Sequence, residues 1–193
     1  MRMNSFVKEQ AILAADALKE GKMILYPTDT VWGIGCDATS QEAVKRVFDL
    51  KKREDSKSLV ILVSDMDMLT RYVREIPPMA EQLIEVNDVP MTIIYPGAVS
   101  LAPAAIASDG SVAIRIPMNS FCVEMIRRFG KPIVSTSANI SGEPTATTFE
   151  MISEAILNGV DYVVDSKCDI ESTGRPSQII RLGMNYEIEI IRK

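Results

Sequence analysis

The chain carries 193 residues, 47% of them hydrophobic, with 26 acidic and 21 basic side chains and a net charge of −5. That length and apolar content supply a sizeable core, read as a single domain over 1–193, and exclude a disordered chain. The acidic balance argues against a protein that coats nucleic acid non-specifically, while leaving room for a local basic patch.

There is no histidine, which removes Ser-His-Asp and Cys-His catalysis, histidine bases and histidine metal ligands together. Chemistry is left to Lys, Arg, carboxylates, hydroxyls and backbone amides, a set suited to binding phosphate and carboxylate groups. Three scattered cysteines, Cys36, Cys122 and Cys168, form no C-x-x-C pair, so the pattern reads as a reducing cytoplasm and argues against zinc. Lys8, Glu9, Asp16, Lys19 and Glu20 interrupt the N-terminal stretch, which does not read as a secretory signal. No apolar run approaches the ~20 residues that would span a bilayer.

In chain order, residues 6–20 predict an amphipathic helix, with Ser5 as N-cap, Ile12, Ala15 and Leu18 on one face and Gly21 after its end. Met23–Tyr26 predicts a buried strand stopped by Pro27. A turn rich in hydroxyls and glycines follows, with Thr28, Asp29, Thr30, Gly33 and Gly35. It is either a plain strand–turn–helix connection or a ligand loop at a strand end. Thr39 to Glu42 has the spacing of a capping box and opens a helix to about Leu50. Residues 51–58 (KKREDSKS) hold the densest positive charge. Such a run is ordinarily solvated surface, but here it falls between a helix end and the β-branched run Leu59–Val63, at the rim of a sheet.

Ser64 is the expected cap of a short helix through Leu69–Tyr72, and Pro77-Pro78 starts another to about Val86. Strands are expected at Met91–Tyr95 and Val112–Ile116, separated by an irregular small-residue segment, Ala98–Gly110. Arg115 lies inside the second of these apolar runs and requires an anion, either a core carboxylate or a bound one held as a fork. Ser120 is expected to cap a helix to Phe129, closed by Gly130. The strand from Pro132 runs into Ser135, Thr136, Ser137, Asn139, Ser141 and Thr145, more hydroxyls than a turn requires. A helix from Thr147 or Thr148 to about Asn158, a strand at Tyr162–Val164, a polar loop over 172–177 and strands at Gln178–Leu182 and Glu187–Ile191 complete the chain. Neither the Walker pattern nor G-x-G-x-x-G occurs, so the residues alone reach an α/β protein with an anion-binding site.

Four segments extend that reading: YPTDTVWGIGCDA, KKRxxxKSL, VAIRIP and STSANISGEP, in this order over roughly residues 10–182. Together they resemble the motifs of the YrdC/TsaC family, the threonylcarbamoyl-AMP synthases, in their short single-domain form. The resemblance implies a twisted, mostly parallel or mixed sheet flanked by helices around a large, positively charged concave cavity. It also implies a reaction joining L-threonine, bicarbonate or CO₂, and ATP into threonylcarbamoyl-AMP and pyrophosphate. A separate transfer complex would then move the threonylcarbamoyl group to an adenosine of tRNA.

Carried over residue by residue, Lys51, Arg53, Ser137 and Asn139 form the family's hallmark and would be catalytic. Thr30, Arg115, Ser135 and Ser177 would hold threonine. Arg53, Lys57, Ser111, Ser137, Thr145 and Arg192 would hold the nucleotide. Mg²⁺ would arrive with ATP rather than in a protein cage. The chain departs from the family pattern at Glu54, at Ala98, Val99 and Ser100, and at Leu62. A second reading is a non-catalytic paralogue of the YciO type binding double-stranded RNA or tRNA through the same cavity. The acidic total, the single Trp and the five Tyr oppose it. A third, a carbamoyl-transfer domain like that of hydrogenase-maturation proteins, lacks here the zinc-finger and acylphosphatase segments that accompany it.

Overall fold

The computed structural model describes residues 3–52 and 59–193; the expectations for Arg53 and Lys57, and for the departure at Glu54, fall outside them. Six α-helices and nine strands are assigned among the described residues. Helix α1 (Ser5–Lys19) is capped by Asn4, whose side chain accepts the Phe6 N–H, so the cap lies one residue before the expected Ser5. After β1 (Ile24–Tyr26), residues 33–37 do not continue a turn. They form β2 (Gly33–Asp37), buried along its whole length.

The glycines that suggested a turn are there for close approach rather than for positive φ. A Cβ at Gly35 would lie 2.7 Å from the Tyr26 ring and 3.0 Å from the Val134 carbonyl oxygen. Helix α2 (Gln41–Lys51) is capped by Ser40, not Thr39, and ends at Lys52 in the left-handed conformation, φ 49°. Strand β3 (Val60–Leu62) leads to α3 (Met66–Leu69), capped by Asp65 rather than Ser64, then α4 (Ala80–Val86) and β4 (Met91–Tyr95). The irregular stretch before β5 (Val112–Arg115) contains one short 3₁₀ turn at Pro103–Ala105. Asn119, not Ser120, caps α5 (Ser120–Phe129), which Gly130 closes with φ 80°.

β6 (Ile133–Ser137) ends in its hydroxyl run. The helix expected from Thr147 is split: Phe149–Met151 is a 3₁₀ turn, Ile152 and Ser153 are extended, and α6 covers only Glu154–Gly159. β7 (Tyr162–Val163), β8 (Gln178–Leu182) and β9 (Ile188–Arg192) complete the set.

The strands form one sheet in the order β7-β1-β2-β6-β3-β5-β4-β8-β9. Three junctions are parallel, β7–β1, β3–β5 and β4–β8, and the others antiparallel, so the sheet is mixed. Helix α1 packs against α5, β1 and β2, and α2 against β2. The buried apolar side chains form one cluster that includes Trp32, Tyr26 and Tyr95. Burial is complete along β1, β2 and β5 and covers most of β3 and the first three residues of β6, which is why β1, β3 and β5 read as apolar runs rather than alternating ones. The three cysteines are free and buried inside the cluster. No helix among the described residues is long and apolar enough to cross a membrane.

Candidate active site

Pro27 ends β1, and the next residues fold back on themselves. The Thr28 hydroxyl donates to the Val31 carbonyl at 2.7 Å, accepts the Thr30 N–H at 3.0 Å, and lies 2.8 Å from the Thr30 hydroxyl. This hydroxyl-stabilised turn is locked from the far end of the chain. The Ser172 hydroxyl and the Gly174 N–H both donate to the Thr30 carbonyl at 2.8 Å, and the Thr173 N–H donates to that of Asp29. The 172–177 loop and the first polar loop thus form one surface.

The turn faces the end of β5, which delivers Arg115. The Arg115 side chain is 5% exposed. Its Nη1 donates to the Thr30 hydroxyl at 3.1 Å, and its Nη2 lies 3.4 Å from Asp29 Oδ1. Asp29 Oδ2 in turn accepts the Met118 N–H at 2.9 Å. Arg115 Nε has no partner. A guanidinium held at one end, with a buried donor left over, is poised to bind an acceptor from the open side.

That side is a cavity of about 320 Å³. Thr28, Thr30, Val31, Trp32 and Gly33 line it from the β1–β2 side, Ser135, Thr136, Ser137 and Thr145 from β6 and the loop after it, Leu59 and Val60 from the start of β3, Pro176 and Ser177 from the 172–177 loop, and Ile179 and Arg192 from the C-terminal hairpin. Register explains the convergence: Gly33 pairs with Ser137 and Gly35 with Ser135 across β2–β6, while Ile179 pairs with Arg192 across β8–β9. Ser177 is fixed by a 2.7 Å hydroxyl contact with Thr92, and Arg192 Nε donates to the Ser177 carbonyl at 2.9 Å. Burial, and secondarily the charge of Arg115, lowers the pKa of Arg192 from its usual value. Trp32 donates its indole N–H to Asp169 at 2.7 Å and packs tilted on Phe149 at 4.9 Å. No carboxylate side chain lines the cavity among the described residues, and none of their His, Cys, Asp and Glu side chains cluster in threes as a metal site would require.

Seven of the sequence-predicted residues, Thr30, Arg115, Ser135, Ser137, Thr145, Ser177 and Arg192, share this one wall. Lys51, Asn139 and Ser111 do not line it. Lys51 is 1% exposed, and its ammonium donates to the backbone carbonyls of Ser137 and Asn139. The Lys51 carbonyl accepts the Ser141 N–H, and the Asn139 amide donates to the carbonyls of Ile140 and Glu143. These two residues brace the loop that carries Ser137. The Ser111 hydroxyl donates to Asp109 at 2.6 Å, and this bond with the Ser111 N–H holds the Asp109 carboxyl down at about 2. Sequence reasoning gave no role to Trp32 or Thr92. The signals were there: Trp32 is the one tryptophan of the chain, and Thr92 is the only Ser or Thr in its strand and 0% exposed.

The sequence profile of the Sua5/YciO/YrdC family, described as telomere recombination, matches residues 16–193. A threonylcarbamoyl-AMP synthase of Vibrio parahaemolyticus is 33% identical over 178 residues, covering 87% of this chain and 96% of that one. A protein of the same name from Pyrococcus abyssi is 31% identical over 165 residues, covering 83% of this chain but 48% of its own, so the chain spans about half the length of that relative. The crystal structure of P. abyssi Sua5 complexed with L-threonine superposes with a TM-score of 0.82 at 30% identity, over 94% of this chain and 52% of that one. E. coli YciO shares the fold, with a TM-score of 0.80 at 21% identity, over 96% and 89% of the two chains. A profile match across most of the length, with the same sheet in the solved neighbours, makes this chain a member of the Sua5/YciO/YrdC family.

Proposed function

We propose that the protein is an L-threonylcarbamoyladenylate synthase, joining L-threonine, CO₂ or bicarbonate, and ATP, with release of pyrophosphate. The observation that carries the reading is Arg115: a buried guanidinium at the cavity wall with an unpartnered Nε. It sits in a family whose curated relatives bear this name and whose P. abyssi member has been solved with L-threonine.

In this reading Arg115 takes the threonine carboxylate, and Thr30, Ser135 and Ser177 orient the rest of the amino acid. All three hydroxyls are nearly buried, so the seat excludes bulk water from a hydrolysable product. Once the ammonium has lost a proton to solvent, the amine attacks CO₂: a C–N bond forms as one C=O π bond opens onto oxygen, and the second nitrogen proton passes to solvent, giving the carbamate. A carbamate oxygen then attacks the α-phosphorus of ATP, and the bond to the pyrophosphate oxygen breaks. Ser137, Thr145 and Arg192 on the wall, with Arg53, Lys57 and Ser111, are assigned to the nucleotide. The charge that builds on the leaving pyrophosphate calls for fixed cations and N–H donors. Lys51 and Asn139 act by holding the Ser137 loop in place. The wall is hydroxyl- and guanidinium-rich with no carboxylate among the described residues, which fits a Mg²⁺ ion carried by the triphosphate rather than by protein ligands. When bound, the ion would neutralise phosphate charge. The product is a mixed anhydride, suited to transfer onto tRNA adenosine by a further complex in the cytoplasm.

The test is incubation with ATP, Mg²⁺, L-threonine and bicarbonate, with each omitted in turn, and mass spectrometry for threonylcarbamoyl-adenylate. Product that needs every component supports the assignment. No product from protein that still binds ATP rejects it and leaves the nucleic-acid-binding reading.

A further inference from the structure

The Arg115 seat contains a second charge that the reaction does not use. Asp29 is 3% exposed, its Oδ1 lies 3.4 Å from Arg115 Nη2, and its Oδ2 is tied to the Met118 N–H. Oδ1 makes no hydrogen bond, so its contact with the guanidinium is Coulombic; Nη1 is used by the Thr30 hydroxyl, and the buried Nε donor of Arg115 is left for a ligand. The other polar groups around the pair are neutral. Burial holds the Tyr26 phenol and the Cys122 thiol protonated, well above their ordinary values. Glu171, the next carboxylate, is exposed and accepts the Ser120 N–H. Arg192 lies on the same wall and feels the charge of Arg115, but it sits at the partly exposed side of the cavity, tied to the Ser177 carbonyl and outside the Arg115–Asp29–Thr30 contact set.

The innermost seat is therefore one cation and one anion, close to neutral as built. A net-neutral zwitterion entering it leaves the buried charge balanced. A plain carboxylate leaves a net negative charge out of water, which is costly. We infer that Asp29, acting through Arg115, sets the charge preference of the seat, favouring a zwitterionic α-amino acid over the same acid without its amino group. The inference rests on the proposed threonine site and adds to it a positioning residue with a role in selectivity.

The experiment compares two ligands in one protein: L-threonine and its des-amino analogue, 3-hydroxybutanoate. Binding is followed by calorimetry and by the fluorescence of Trp32, the one tryptophan, which lines the cavity. Wild type should prefer threonine strongly. Asp29→Asn keeps an acceptor for the Met118 N–H and removes only the charge; it should lower the threonine-to-analogue affinity ratio at least tenfold, with the analogue binding more tightly than to wild type. Asp29→Ser is the second neutral variant should the first not fold. A ratio in either folded variant equal to that of wild type overturns the inference, because a merely structural Asp29 would weaken both ligands alike. Wild type that binds no threonine removes the proposed function and this inference with it, whereas threonine binding with an unchanged ratio removes the inference alone.

Discussion

The Arg115–Asp29 pair makes a stability prediction that can be worked from its geometry. Both side chains are 5% exposed, and their contact is 3.4 Å. Arg115→Met removes the cation with little change in volume and strands the Asp29 carboxylate, which keeps one bond from Met118 N–H. Breaking a buried pair from one side costs about 3–5 kcal/mol. The long contact and the surviving bond place this case at about 3 kcal/mol. At ~2–4 °C per kcal/mol for a chain of this size, the melting temperature should fall by roughly 6–12 °C. Adding Asp29→Asn to the same chain removes the stranded charge while retaining the acceptor, so the double variant should regain most of the loss. Thermal unfolding followed by circular dichroism and Trp32 emission measures both, and calorimetry should find threonine binding absent from each. A double variant no more stable than Arg115→Met, or Arg115→Met melting with wild type, would refute a buried ion pair here.

Two further outcomes follow from local geometry. Gly35→Ala should destabilise by about 1–3 kcal/mol through overpacking, because the new methyl meets the fixed Tyr26 ring at 2.7 Å and a backbone oxygen at 3.0 Å; an unchanged or higher midpoint in urea would show that β1 and β2 can separate freely. The Asp109 carboxyl, held at about 2 first by the Ser111 hydroxyl, has a folded pKa below its unfolded value. Its contribution is therefore full above pH ~4 and lost as pH falls through about 2. The stability gap between wild type and Asp109→Asn at pH 7 should accordingly narrow between those limits; a gap independent of pH would sink the assignment.

Several strands were legible because burial on both faces leaves an apolar run, as at Leu59–Val63, where only Val60 is partly exposed. The caps of α1, α2, α3 and α5 were legible to within a residue, whereas α4 and α6 start later than expected; the cap error has a common form. At Asn4-Ser5, Thr39-Ser40, Ser64-Asp65 and Asn119-Ser120, two adjacent side chains can each cap a helix. The structure uses Asn4, Ser40, Asp65 and Asn119, and the spare hydroxyl turns elsewhere in three cases, Ser5 to Asn4, Thr39 to Asp37 and Ser64 to Asp65. Local pattern cannot choose within such a doublet, because the tertiary path of the entering chain decides. β2 was hidden for a related reason. Gly33 and Gly35 carry no β propensity, and what makes them strand residues is the Tyr26 ring and β6 lying against them, a contact between segments far apart in sequence.

The hallmark pair is tied to the backbone of the loop that carries Asn139. Lys51 and Asn139 stand 88 residues apart and read naturally as catalytic groups because Lys and Asn can both touch phosphate. In the folded chain the Lys51 ammonium sits on the Ser137 and Asn139 carbonyls, 1% exposed. A buried ammonium needs acceptors, and backbone carbonyls at the end of β6 supply them. Those carbonyls are thereby pulled toward the end of α2, while Ser141 N–H closes the link onto the Lys51 carbonyl. The consequence for function is positional: the loop that presents Ser137 and leads to Thr145 is fixed to a helix end, and the hydroxyls facing the cavity are held before any ligand arrives. Hydroxyls held in this way need no reorganisation to meet a charged ligand.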